Sequence, residues 1–239
     1  MNKIMKVVIL CGGLGTRISE ETINKPKPMV KIGRLPILHH IINYYIKFNF
    51  TDFIILTGYK ANIIKNYFAK KNLNFNITFF YTGEKTLTGE RLLKIKKKFS
   101  KDETFLLTYG DGLSNVDIKS LIKFHFKHKQ IATLTAVRPP ARFGEIYLAK
   151  KNLIKKFVEK AQVGTSWING GFFVFNYKIF KFLKRKQMLE REPLSKLVAT
   201  KNLFAYTHKG FWQCLDTMRD KKILENIYKR KKFLNYNIF

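Results

Sequence analysis

Acidic residues are in short supply: 16 Asp and Glu stand against 46 Lys and Arg, a formal net charge of +30. Such a balance raises nucleic acid or an anionic membrane as a partner. Arginine, however, is scarce as well. Only nine of the 46 basic residues are arginine, the side chain that dominates base and phosphate recognition. The excess is lysine, scattered through every segment and travelling with Asn, Ile, Phe and Tyr, the amino-acid set of A+T-rich codons. The charge therefore reads as compositional drift, and no specific nucleic-acid partner is expected; a basic nucleic-acid-binding protein is the alternative from a different class. The positive field still attracts small anions.

Cysteine is nearly absent. Cys11 and Cys214 cannot build a disulfide framework, and both read as reduced packing residues. No apolar run approaches the roughly 20 residues of a membrane span. The start, Met-Asn-Lys-Ile-Met-Lys, enters the first strand without a signal-peptide pattern. The expectation is a cytoplasmic protein with no membrane partner. Repeats and internal linkers are lacking too, so 239 residues at 46% hydrophobic content read as a single domain, 1–239, with a sizeable core.

What is present centres on 7–29, VVILCGGLGTRISEETINKPKPM. Val7, Val8, Ile9 and Leu10 form an apolar, β-branched run suited to a buried parallel strand. It gives way at Cys11 to Gly12-Gly13-Leu14-Gly15-Thr16-Arg17, where glycines let backbone N–H groups approach an anion. Lys27 follows within Lys25-Pro26-Lys27-Pro28, a segment stiffened by its prolines. Strand, glycine loop, arginine and clamped lysine make a cradle for a polyphosphate. Two familiar motifs do not fit: Ile18 stands where the dinucleotide fingerprint needs its third glycine, and no Walker Gly-Lys-Ser/Thr triplet occurs.

Along the chain, periodicity predicts a helix over 35–48, a strand over 52–57, a helix over 61–69 and a strand over 75–81. This β-α-β-α-β order implies an α/β fold: a Rossmann-like, mixed but mostly parallel sheet flanked by helices, with ligands at the strands' carboxyl ends. A polar, glycine-containing loop, 82–91, opens a predicted helix over 92–99. A strand over 103–109 ends in Gly110-Asp111-Gly112, where an aspartate between glycines can reach a metal ion; elsewhere Asp-Gly is an ordinary turn. A helix is predicted over 117–128. Its His125 and His128 have no evident third ligand and read as surface residues, not a zinc site. Strands are expected over 130–138, 143–148, 153–158, 172–175 and 203–208, and helices over 177–184, 194–200 and from about 216 to 229. Asn169 with Gly170 and Gly171 can present amides to sugar hydroxyls or form a glycine bulge. Asp216 is either a helix N-cap or the second carboxylate of a magnesium site.

The segments CGGLGTR…KPKPMV, TLTG-x-RL, LLTYGDG, AVRPPARFG, SWINGGFFVF and GFWQ-x-x-DTMRDK resemble, in order and over nearly the whole chain, the glucose-1-phosphate cytidylyltransferases. These are a branch of the sugar-phosphate nucleotidyltransferase superfamily. The resemblance implies CMP transfer from CTP to a sugar 1-phosphate, giving CDP-glucose and pyrophosphate, with Mg²⁺ as cofactor and a homo-oligomeric assembly. A sugar phosphate is already an anion, so this chemistry needs positioned cations rather than a general base. By the resemblance, Leu10, Cys11, Gly12, Gly13, Leu14, Gly15 and Thr16 hold the nucleotide. Arg17 braces the leaving pyrophosphate, and Lys27 the α-phosphate and incoming phosphate. Asp111 and Asp216 bind Mg²⁺. Arg91 and Gly110 contact nucleotide or sugar. Glu159, Lys160, Asn169 and Gly170 take the sugar phosphate. The chain departs from the pattern in a short 69–75 segment, in Glu90 where TLTG-x-RL has glycine, and in Cys214, a variable position. The short segment bears on the family's assembly and sugar choice, and Glu90 adds negative charge beside the expected anion site, so a cytidylyltransferase acting on a different phosphorylated acceptor is the second reading.

Overall fold

The computed structural model describes residues 5–139, 145–158 and 166–230. Its centre is a seven-stranded sheet. In spatial order the strands are Leu203–His208, Ala132–Val137, Ile168–Asn176, Thr104–Tyr109, Val7–Cys11, Asp52–Thr57 and Asn76–Tyr81. Every pairing is parallel except the two made by Ile168–Asn176, which runs antiparallel to both neighbours. The sheet is thus mixed and mostly parallel, as expected. Because that one strand is reversed, its start lies at the same edge as the carboxyl ends of the others: Ile168 pairs with Val137, and Leu10 pairs with Tyr109.

Alternation along the buried first strand divides the core into two layers. Val7, Ile9 and Cys11 pack on one side with helices Ile37–Ile46, Ala61–Ala69, Ile118–His128 and Met218–Lys229. Val8 and Leu10 pack on the other with Leu92, Ile179, Phe180, Leu194 and Leu197. Apolar burial on both faces explains why the strand reads as a continuous hydrophobic run instead of an alternating one. Among the described residues, no helix is long and apolar enough to cross a membrane.

Several elements differ from expectation for local reasons. The helix predicted over 92–99 spans Thr88–Lys94 and then tightens into a 3-10 turn at Lys96–Lys98. The segment 177–184 is a 3-10 turn, Tyr177–Lys181, started by the Asn176 side chain accepting from Lys178 N. The final helix is capped by Thr217, not Asp216. Thr217 and Asp220 close a capping box, and Asp220 also accepts from Asp216 N at 3.1 Å. His125 is a correction: it is 3% exposed, not a surface residue. Its Nδ1 lies 2.8 Å from Thr133 Oγ1, which His128 Nε2 also meets at 2.7 Å. The paired glycines form the bulge that was one of two readings: the Ile168–Asn176 register slips between Asn169 and Phe173, with Gly171 at φ +79°.

Candidate active site

The carboxyl edge of the sheet opens into a cleft of about 1360 Å³. The glycine loop forms its floor. Gly15 takes the left-handed conformation, φ +69°, and starts the 3-10 turn Thr16–Ile18 that carries Arg17. A side chain at Gly12 would strike the Arg91 guanidinium, whereas one at Gly13 would meet nothing in the chain. The loop therefore leaves room above Gly13 for a ligand to lie against backbone.

Lys27 reaches the cleft from a 3-10 turn, Lys27–Met29, that Pro26 leads in extended backbone and Pro28 stiffens as its second residue. Its ammonium, 8% exposed as a residue, donates to Asp111 Oδ2 and to Asp216 Oδ1, both at 2.6 Å. Arg17 Nη1 donates to Asp216 Oδ2 at 2.8 Å. Burial alone would lower the lysine's pKa, but the two carboxylates outweigh it and hold the value above that of a free lysine. Burial likewise opposes ionisation of Asp216, and the Lys27 hydrogen bond and charge, helped by Arg17, hold it ionised below the usual range.

A short ribbon unforeseen in the sequence brings the two aspartates together. Gly112–Ser114 pairs antiparallel with Trp212–Cys214, placing Gly112 opposite Cys214. One step further, Leu215 N donates to the Asp111 carbonyl at 2.8 Å. Since Thr217 takes the helix cap, the Asp216 carboxylate is left to face Lys27.

Arg91 is buried, 3% exposed, and lines the cleft wall. Its guanidinium donates to the carbonyls of Thr57, Gly83, Gly12 and Glu84 and to Thr82 Oγ1. Where the resemblance implies a substrate contact, these donors are occupied in stitching the glycine loop to the 82–84 loop. Glu90 does not border the cleft. Its Oε2 accepts from Lys186 N at 2.9 Å, turning the extra negative charge away from the glycine loop.

The opposite end of the cleft is aromatic and amide-rich, with Glu190 as its acidic group. Asn169 Nδ2 donates to Tyr109 Oη at 3.2 Å, and its Oδ1 accepts from Gly171 N at 2.8 Å. Trp212 Nε1 donates to the Gly170 carbonyl at 2.7 Å. Gly110 packs under Leu10 and Cys11, with no room for a Cβ beside Cys11 Sγ. Arg138 stacks on Trp167, 4.6 Å from the ring centre. Glu159 and Lys160, expected at the sugar phosphate, lie outside the described residues, as does 140–144 of the RPPARFG motif. Tyr109, Trp212 and Glu190 were not singled out as site residues. Trp212 sits inside a quoted motif and Tyr109 ends a predicted strand. Glu190 lies in a polar stretch with no distinguishing pattern.

This set favours one kind of chemistry. Among the described residues no histidine lines the cleft, so no imidazole stands ready as a base. Burial pushes the Cys11 thiol well up, and burial with Asp216, Asp220 and Asp111 nearby pushes Cys214 up to about 12, so neither is a ready thiolate nucleophile. Cations and carboxylates gathered at a glycine loop suit direct transfer between anions.

A family model described as nucleotidyl transferase matches residues 6–220. The glucose-1-phosphate cytidylyltransferase of Salmonella typhimurium is 43% identical over 251 aligned positions, 95% of this chain and 97% of that protein. The mannose-1-phosphate guanyltransferase of Saccharomyces cerevisiae is 30% identical, over 90% of this chain and 62% of its own. Among solved structures, HddC of Yersinia pseudotuberculosis complexed with GMP-PN matches with TM-score 0.74 at 25% identity, covering 94% of this chain and 99% of its own. Apo UDP-glucose pyrophosphorylase matches with TM-score 0.73 at 16% identity over 96% of this chain and 100% of its own, a likeness of fold.

Proposed function

From the premise that the chain belongs to the nucleotidyl transferase family, we propose that it transfers CMP from CTP to glucose 1-phosphate, yielding CDP-glucose and pyrophosphate. The observation that carries this reading is the 43% identity to a cytidylyltransferase of that specificity, spanning nearly all of both chains. The second reading, a different acceptor, rests on the short 69–75 segment and on Glu90; of these, Glu90 faces away from the cleft.

The acceptor's phosphate oxygen forms a bond to the α-phosphorus of CTP. The bond from that phosphorus to the bridging oxygen breaks, and pyrophosphate leaves with the electron pair. No proton has to be removed, so the barrier is charge repulsion and alignment. Backbone N–H groups from Leu10 through Thr16, with Gly110, hold the nucleotide. Lys27, fixed by its proline-bounded turn, bridges the α-phosphate and the incoming phosphate. Arg17, 71% exposed at its side chain, is free to turn from Asp216 to the departing pyrophosphate. Asn169 and Gly170, with Glu159 and Lys160, take the sugar phosphate.

Asp111 and Asp216 fit a hard divalent cation such as Mg²⁺, because they already share one cationic atom at 2.6 Å from each. No cluster of three or more potential protein ligands occurs among the described residues, so Asp111 and Asp216 would hold the ion together with oxygens from the substrate phosphates and water. When bound, the ion supplies charge neutralisation at the reacting phosphates.

The test is pyrophosphate release with Mg²⁺, crossing CTP, UTP, dTTP, ATP and GTP with glucose 1-phosphate and mannose 1-phosphate. Turnover is expected with CTP and glucose 1-phosphate. Preference for another pair would correct the specificity, and inertness with every pair would overturn the reading.

A further inference from the structure

Chain segments about a hundred residues apart are clasped at the rim of the cleft. Gly89 N and Glu90 N, in the first turn of helix Thr88–Lys94, both donate to the Gln187 carbonyl at 3.1 and 3.3 Å. Leu189 N donates to Thr88 Oγ1 at 2.9 Å, and Lys186 N to Glu90 Oε2 at 2.9 Å. A Cβ at Gly89 would sit 3.0 Å from the Gln187 carbonyl, so glycine lets the two segments approach this closely without displacement.

The clasp delivers Glu190 into the cleft. Both of its oxygens are met by hydroxyls: Oε1 accepts from Tyr109 Oη at 2.5 Å and Oε2 from Thr88 Oγ1 at 2.6 Å. Tyr109 has one proton to give and gives it to Glu190, so its oxygen is left as an acceptor for Asn169 Nδ2. That contact determines which way the Asn169 amide points, and its oxygen is in turn held by Gly171 N. Burial, with the Glu190 charge and hydrogen bond next, pushes the Tyr109 phenol's pKa up and keeps that proton in place.

We propose that Glu190 is a positioning residue for the acceptor sugar: through Tyr109 it fixes the amide of Asn169 at the end of the cleft away from Lys27 and Arg17. Its negative charge also sets the polarity of the site. Phosphates are drawn to Lys27 and Arg17 and repelled by Glu190, so the hydroxyl-bearing ring of the acceptor, not its phosphate, lies at this corner. A carboxylate with lone pairs to spare is the natural acceptor for sugar hydroxyls. This inference rests on the proposed transfer to a sugar 1-phosphate.

The experiment measures steady-state pyrophosphate release by wild type, Y109F, E190A and E190Q, varying glucose 1-phosphate at saturating CTP and the reverse. Y109F and E190A are each expected to raise the KM for glucose 1-phosphate about five- to tenfold, the scale of one or two lost hydrogen bonds. The KM for CTP should move less than twofold. In E190Q the amide oxygen still accepts from Tyr109 while its nitrogen donates to Thr88 Oγ1, so the KM for glucose 1-phosphate should fall between those of wild type and E190A, the remaining deficit reading the lost charge. Should E190A not fold, as read by thermal melting, Y109F alone decides, because it removes one oxygen at the far side of the same contact. Equal shifts in both KM values, or none, would overturn the inference. A wild type inert with CTP and glucose 1-phosphate would instead overturn the function reading beneath it.

Discussion

The Lys27 ammonium donates to Asp216 Oδ1 at 2.6 Å across 189 residues of chain, and at the same distance to Asp111 Oδ2. Two side chains expected to grip a cation are thus bridged by one expected to grip phosphate. With Arg17 on the other Asp216 oxygen, two positive and two negative groups neutralise one another. On the proposed function, loading such a site would be an exchange of partners: the carboxylates would leave lysine for a metal ion while lysine and arginine turn to phosphate. Either ligand alone strands buried charge, which costs several kcal/mol.

Replacing Lys27 with methionine keeps the stem and removes the ammonium. Turnover should fall at least a hundredfold. Nucleotide-free Mn²⁺ should nevertheless bind several-fold more tightly than to wild type, because no internal cation competes for the carboxylates. Titration calorimetry or electron paramagnetic resonance reads this directly. Unchanged or weaker metal binding in K27M would show that Asp111 and Asp216 do not share the ion.

Arg91 donates to acceptors in three separate stretches, around Gly12, Thr57 and 82–84. A lysine cannot span them, so R91K leaves buried carbonyls unpaired and should cost about 3 kcal/mol. For a chain of this size that is a fall in melting temperature of roughly 6–12 °C. A full loss of turnover at unchanged melting temperature would mean that Arg91 contacts the substrate, as the family resemblance implies.

His125 makes stability depend on acid. Burial, with His128 beside it, lowers its pKa to about 4 from an ordinary 6.5. The unfolded chain therefore binds a proton that the folded chain refuses between those values, and stability falls as pH drops from about 6.5 towards 4. The contribution lost by pH 5 is about 2 kcal/mol. Asp216, held below its ordinary value, loses its share only at lower pH, as it is protonated through its depressed pKa. Melting H125N at pH 7.5 and pH 5 should show a smaller drop than wild type; an equal drop would assign the acid sensitivity elsewhere.

Elements whose signal is local were readable in advance. Asp52–Thr57, Ala61–Ala69 and Leu203–His208 fall where periodicity placed them, since an apolar period and its flanking turn residues are properties of ten contiguous residues. The helix expected over 35–48 starts later, at Ile37, because Pro36, suited to a first turn, instead ends a two-residue strand paired to Lys31.

The amino-acid sequence by itself determined the glycine loop, the proline-bounded Lys27, the mostly parallel sheet and the family, because each depends on side-chain type at short spacing. Only the tertiary structure decided that Asp111 and Asp216 meet on one lysine, that Arg91 is occupied by backbone carbonyls, that His125 is buried, and that Glu190 reaches Tyr109. Those contacts span roughly 8 to 190 residues. They arise from strand order, from the register of the Gly112–Ser114 ribbon and from a close approach at Gly89, none of which leaves a periodic or compositional trace along the chain.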